Sequence, residues 1–212
     1  MSASCGHHHA PAADPAATPP GVRRALWIAL IANGAMFAVE IGGGWRAGSL
    51  ALWADAIDFL ADTLAYAITL AVLAASLRAR LRAARFKALS MGALGLWVLG
   101  LALWRLGGTE PPHVPLMGAV AVAALATNLG VAWILYRYRE GDANLRSVWL
   151  CSRNDAIGNL AVMGAALGVF GTGHAWPDLA VAGLMATLGV SAGISVWRDA
   201  ARPTPTAAPD SH

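Results

Sequence analysis

Asp55, Asp58 and Asp62 are spaced three and four residues apart in an otherwise apolar stretch. On a helix that spacing stacks them along one face. Carboxylates crowded on one face in a low dielectric repel one another and lose hydration, and such groups inside a membrane point to function. Cys151, Asp155 and Asn159 recur every four residues, so on a second helix they point roughly one way. Asp58-x-x-x-Asp62 against Cys151-x-x-x-Asp155 would supply four donors from two helices, the number a tetrahedral metal site takes. When metal leaves, protons occupy the same oxygens, so metal and proton compete. That competition is the physical basis of exchange. Taken alone, Cys151 also reads as a small buried apolar residue, and protonated aspartates could serve only to bond helices together.

These residues need helices to hold them, and the composition says where the helices lie. The chain has 212 residues, 57% of them apolar and 13% charged, with a mean hydropathy of +0.54. A soluble domain carries about 25% charge. Disordered chains, disulfide scaffolds and nearly all soluble classes are excluded, and Cys5 in a polar tail is no partner for Cys151 in an apolar run. A bilayer core of about 30 Å needs about 20 apolar residues per helix. Six windows qualify: 25–44, 50–77, 88–106, 114–136, 147–170 and 176–197. The expected fold is an all-α membrane protein with six transmembrane helices. Residues 1–24 and 199–212 are expected to be disordered tails, and residues 25–198 the transporter domain, with no soluble domain after the sixth span.

Charge sets the orientation. Of fifteen basic residues, Arg23, Arg24, Arg78, Arg80, Arg82, Arg85, Lys87, Arg137, Arg139, Arg146, Arg198 and Arg202 fall on one side. Arg46 and Arg105 fall on the other, while Arg153 lies inside the fifth window and is expected to snorkel to the headgroups. The positive-inside rule makes both termini and the two basic loops cytoplasmic. The net charge of +3 therefore reflects topology and not a nucleic-acid surface.

The spans are unequal. Asn33 and Glu40, then Asp55, Asp58 and Asp62, then Thr127 and Asn128, then Asp155 and Asn159 mark the first, second, fourth and fifth. The third and sixth are plainer, and Gly189 and Gly193 give the sixth a small-xxx-small spacing for close helix contact. A polar-cored bundle of spans 1, 2, 4 and 5 with spans 3 and 6 as a pair beside it is the expected arrangement. At 1.5 Å per residue, Asp58 and Asp62 lie about 12 and 18 Å below the outer end of their span. The same count puts Asp155 about 18 Å below the outer surface, pairing Asp62 with Asp155 and Asp58 with Asn159.

Glu40 followed by Gly44, Gly48-Ser49-Leu50-Ala51-Leu52 and Ala54-Asp55-Ala56-x-Asp58-x-x-x-Asp62 resembles the first two helices of the cation diffusion facilitator family. Asp155-Ala156-Ile157-Gly158-Asn159 resembles its fifth helix, and the likeness covers residues 25 to about 198. The resemblance implies a homodimeric exporter of divalent transition metals, usually zinc, exchanging cytosolic metal for protons by alternating access. It implies Asp58, Asp62, Cys151 and Asp155 as metal ligands, with Asp58 opposite Asp155 and Asp62 opposite Cys151. That register differs by one helical turn from the depth count and makes Cys151, rather than Asn159, the fourth ligand. Glu40, Asp55, Asn33, Asn128 and Asn159 are accessory candidates. The sequence departs from the family in carrying Cys151 where His or Asp is usual. The family's usual cytoplasmic C-terminal domain is not expected after the sixth span, so the resemblance is to a short form limited to the transmembrane part.

Cys5, His7, His8 and His9 are candidates for capturing metal on the cytoplasmic side, since His and Cys are the usual zinc ligands. A thiolate favours Zn²⁺ or Cd²⁺ and carboxylates favour harder ions such as Mn²⁺ or Fe²⁺, with Co²⁺ and Ni²⁺ between. The metal is cargo; no resident cofactor is implied. The expected location is a bacterial inner membrane. A membrane-embedded Mg²⁺-dependent phosphotransferase or hydrolase would need basic residues beside the acids to hold phosphate, and only Arg153 is near, on another face. A metal sensor would use the tail and would not need five buried acids.

Overall fold

A computed structural model describes residues 20–72, 77–108, 110–138 and 143–201, with the backbone alone described at 20, 72, 77–81, 83, 84, 143–154 and 199–201. Among these described residues six helices follow in order: α1 Pro20–Ala47, α2 Leu50–Val72, α3 Leu77–Arg105, α4 Val114–Tyr136, α5 Ala143–Thr172 and α6 Trp176–Ala201. No strand occurs among the described residues. The protein is an all-α, multi-pass membrane protein.

The helices run past the apolar windows at the basic ends. α3 begins at Leu77, so the Arg78–Lys87 stretch expected as a loop is its first three turns. Arg, Ala, Leu and Lys are strong helix formers, and nothing in that stretch breaks the helix. Leu77 therefore belongs to α3 and not to the second span, whose helix α2 is described as far as Val72. α1 likewise extends back to Pro20, inside the segment expected as tail. α6 reaches Ala201, into the other expected tail.

Packing inverts the soluble pattern. Buried positions are largely alanine, as at Ala51, Ala56, Ala121, Ala124, Ala182 and Ala186. Large apolar residues such as Ile31, Leu103, Trp104, Leu167 and Phe170 are exposed. An apolar surface of this extent needs a cover, and in a membrane the cover is lipid. Trp133 beneath Arg137 and Trp197 beneath Arg85, at 4.9 and 6.0 Å from guanidinium to ring centre, sit at the basic ends of α4 and α6, where aromatic belts form.

Among the described residues, five stretches are long and apolar enough to cross a membrane: Gly21–Ala47, Arg85–Arg105, Val114–Tyr136, Asp155–Thr172 and Trp176–Arg198. α2 lies outside that set because of its three aspartates. Its position explains how it manages: α2 touches all five other helices and is the centre of the molecule. α1 packs on α2 and α4, α4 on α5, and α5 on α2, while α3 and α6 form the most extensive pair and cover α2 from the other side. A methyl group placed on Gly193 would lie 2.9 Å from the Ala88 carbonyl oxygen, so glycine is what lets α6 approach α3. At Gly189 the same methyl would meet Ile57 at an ordinary 3.8 Å. Only Gly193 of that pair serves close contact.

Candidate metal-transport site

At one end of α2 the chain turns sharply at Gly48, whose φ of +70° is left-handed and favours glycine. Ser49 then caps α2, its hydroxyl oxygen accepting from the Leu52 amide at 3.2 Å. The same hydroxyl donates to Asp178 of α6 at 2.6 Å, and the Leu50 and Ala51 amides donate to Asp178 at 2.8 and 3.1 Å. Arg105 of α3 donates to the Gly48 carbonyl at 2.8 Å, and the His113 amide donates to the Ala47 carbonyl at 2.8 Å. Elements α3, α4 and α6 thus clamp the α1–α2 corner. The Gly48–Leu52 motif is the sequence of this clamp. Asp178, a sixth acid within the windows, is its centre, and the sequence reading passed over it because nothing near it in the chain points to it.

Below the corner lie the aspartates. Asp55 is buried, and its Oδ2 accepts from the Asn159 amide nitrogen at 2.7 Å. Asn159 in turn accepts from the Asn128 amide nitrogen at 3.0 Å. This chain links α2, α5 and α4. Both ends of the Asn159 amide are therefore engaged, and its nitrogen goes to Asp55, one turn nearer the Ser49 corner than the Asp58 that the depth count put opposite it. Asn33 donates within α1 to the Ala29 carbonyl at 2.8 Å. Glu40 of α1 lies fully buried beside Asp55, with Asp58 the next carboxylate to it.

Two turns further along α2, Asp62 is buried and accepts from the Tyr66 hydroxyl at 3.2 Å. Asp155 of α5 lies within hydrogen-bonding range of Asp62, the pairing given by the depth count. Two carboxyl groups meeting this way need a proton or a metal ion between them. Lys87 of α3 is also buried and within electrostatic reach of Asp62. Read from sequence it was one charge of a cytoplasmic loop; the extended α3 brings it into the protein instead. Asp58 and Asp155 are half-buried.

The acids thus stand as two pairs, Glu40 with Asp55 and Asp62 with Asp155, with Asp58 between them on α2. Among the described residues no group of three or more His, Cys, Asp or Glu converges to hold a metal ion. Cys151 is on α5, one turn before Asp155, but its side chain lies outside the described residues, as do Cys5, His7, His8 and His9. Tyr66 and Lys87 are the site neighbours that sequence reasoning missed. For Tyr66 the signal was present: it follows Asp62 by four residues, on the same face.

Residues 26–202 match the family of the cation efflux transmembrane domain. The metal cation efflux system protein CzcD of Cupriavidus metallidurans is 32% identical over 199 residues, 87% of this chain and 60% of that protein. The zinc transporter ZitB of Escherichia coli is 29% identical over 205 residues, 91% of this chain and 64% of its own length. A Bacillus velezensis protein named as a cadmium, cobalt and zinc/H(+)-K(+) antiporter is 26% identical over 195 residues, 84% of this chain and 61% of its own. The chain spans less than two thirds of the length of each of these relatives.

Proposed function

The chain belongs to the cation diffusion facilitator family, and from that premise we propose that it exports divalent transition-metal cations, zinc foremost, in exchange for protons. The family is one of transporters, which sets the phosphotransferase reading aside. The names of the relatives support zinc, with cadmium and cobalt as further cargo. The observation that carries the reading is the Asp62–Asp155 pair, two carboxyl groups brought together within the membrane by α2 and α5.

Cargo binds through Asp58, Asp62, Asp155 and Cys151. Two carboxylates in contact cannot both stay ionised without a cation, so each metal that leaves is replaced by protons from the side to which it leaves. The thiolate of Cys151 biases the set toward Zn²⁺ and Cd²⁺. Asn159, bound to Asp55 and Asn128, supports the acids from behind. Both termini face the cytoplasm of a bacterium, the protein works in the inner membrane as a homodimer, and the tail bearing Cys5, His7, His8 and His9 gathers metal there.

Everted membrane vesicles loaded at acid pH test this with a panel of Zn²⁺, Cd²⁺, Co²⁺, Ni²⁺, Fe²⁺ and Mn²⁺. Zinc accumulation that collapses when the pH gradient is removed is the expected result. Metal flux indifferent to the gradient in both directions would replace the exchanger with a channel.

A further inference from the structure

Outward of the Asp62–Asp155 pair the bundle holds a cluster with more buried acceptors than donors. Glu40 is 0% exposed, and no donor reaches either of its carboxylate oxygens. Asp55 is 1% exposed; its Oδ2 takes the Asn159 amide, but its Oδ1 takes nothing. Glu40 and Asp55 approach one another within hydrogen-bonding range, and no other side chain or amide donates to the facing oxygens, so only a proton or a bound cation can join the two carboxyl groups. Asn128, which orients Asn159 toward Asp55, also leaves its own buried Oδ1 without a donor. Buried polar atoms lacking a partner are a few per hundred residues in native proteins, and each is costly, a charged one most of all. Here four such oxygens belong to one connected set of residues on α1, α2 and α4.

A cation is what such a set lacks. The donors are all oxygens, which suits a hard ion. Two carboxylates carry a double negative charge; a monovalent ion would leave half of it uncompensated in a low dielectric, whereas a divalent ion neutralises it. An ion of this kind completes its shell with water, so the two acids need no third acidic, His or Cys ligand. Asp55 and Asp62 are seven residues apart on one helix, about 10 Å of rise, so the cluster and the Asp62–Asp155 pair are separate positions.

We infer that Glu40 and Asp55 form a second divalent-cation site, an outer station through which the metal passes after leaving the Asp58, Asp62 and Asp155 acids. Its place on the exit path rests on the transport reading above. Two divalent ions about 10 Å apart repel, so filling the inner position helps to empty the outer one, as in multi-ion conduction.

Mn²⁺ is the probe, a hard ion whose free form is counted by electron paramagnetic resonance. The full chain is studied in lipid nanodiscs with Cys5, His7, His8 and His9 replaced by Ala, which removes binding by the tail. The expected occupancy is two Mn²⁺ per chain, one in Glu40→Gln, one in Asp62→Asn and none in the double variant. Glu40→Asp, which keeps the charge, should still bind the second ion, about 10–100-fold more weakly, separating loss of the site from loss of the fold. One ion that survives Glu40→Gln and disappears in Asp62→Asn would overturn the outer site, leave the transport site standing and make the Glu40–Asp55 contact a shared proton. An ion lost in Glu40→Gln but untouched by Asp62→Asn would keep the outer site and remove the transport-site reading. Binding unchanged in every variant, or no binding at all, would also overturn the inference.

Discussion

Asp178 and Glu40 are both acids, both buried within the helix bundle, at 1% and 0% exposure. Asp178 receives three hydrogen bonds, from a hydroxyl and two backbone amides at the start of α2. Glu40 receives none from the protein. Burial is therefore the same and chemistry is opposite. A carboxylate surrounded by donors is a fixed structural anchor, its oxygens already partnered by the protein. A carboxyl group that faces another is stable only with a proton or a metal ion between the two, and its charge balance changes each time one replaces the other. Donor supply, and not burial, separates the acids that hold this bundle together from those that exchange ions within it.

The largest expected effect falls on the exchanging group. Replacing Asp58, Asp62 or Asp155 by Ala should reduce metal uptake by vesicles to the level of vesicles without the protein, while the protein still reaches the membrane. Uptake that survived at any one of the three would move that residue out of the metal's path.

Next comes a pair of substitutions that sets the two classes against each other. Asp178→Ala leaves a buried hydroxyl and two buried amides unpartnered, at about 1–3 kcal/mol for each unsatisfied group. Thermal unfolding in detergent should shift clearly downward while the metal affinity of the folded protein stays as it was. Glu40→Gln should do the reverse. It removes an unpaired buried charge, so the unfolding temperature should hold or rise, and Mn²⁺ occupancy should fall. If both variants lose stability alike, the distinction by donor supply fails.

Smaller effects test selectivity and delivery. Cys151→Ser exchanges a soft ligand for a hard one and should lower the preference for Zn²⁺ and Cd²⁺ over Mn²⁺ by about tenfold, or 1.4 kcal/mol, in competition uptake. Asn159→Ala should change that preference less, because Asn159 faces Asp55 and Asn128. Ala at Cys5, His7, His8 and His9 should slow uptake only at low metal concentration. Equal slowing at saturating metal would make the tail part of the transport site.

How much of this was legible in the sequence depended on the range of the interaction. Asp55, Asp58 and Asp62 announce themselves through a local rule, the three- and four-residue spacing of one helix face. The six elements follow from apolar length, although α3 outruns its apolar window because helix propensity and membrane burial have different limits. Asp178 was illegible for the opposite reason: its partners lie 127–129 residues away, and no local pattern encodes a cap delivered from another helix. Lys87 looked like one more basic loop residue until α3 carried it beside Asp62. The register of α5 on α2 was open by one helical turn, and a turn is about the error with which a span's ends can be read from hydropathy.

The central claim is that metal and protons replace each other on the α2 and α5 carboxylates. It is tested most directly in proteoliposomes that hold a zinc indicator and a pH indicator together, comparing the wild-type chain with Asp62→Asn. With an acidic lumen, the wild type should bring zinc in while the lumen loses protons at a fixed ratio, and the variant should do neither. Zinc entry without proton exit, or zinc entry that persists in Asp62→Asn, would contradict the account.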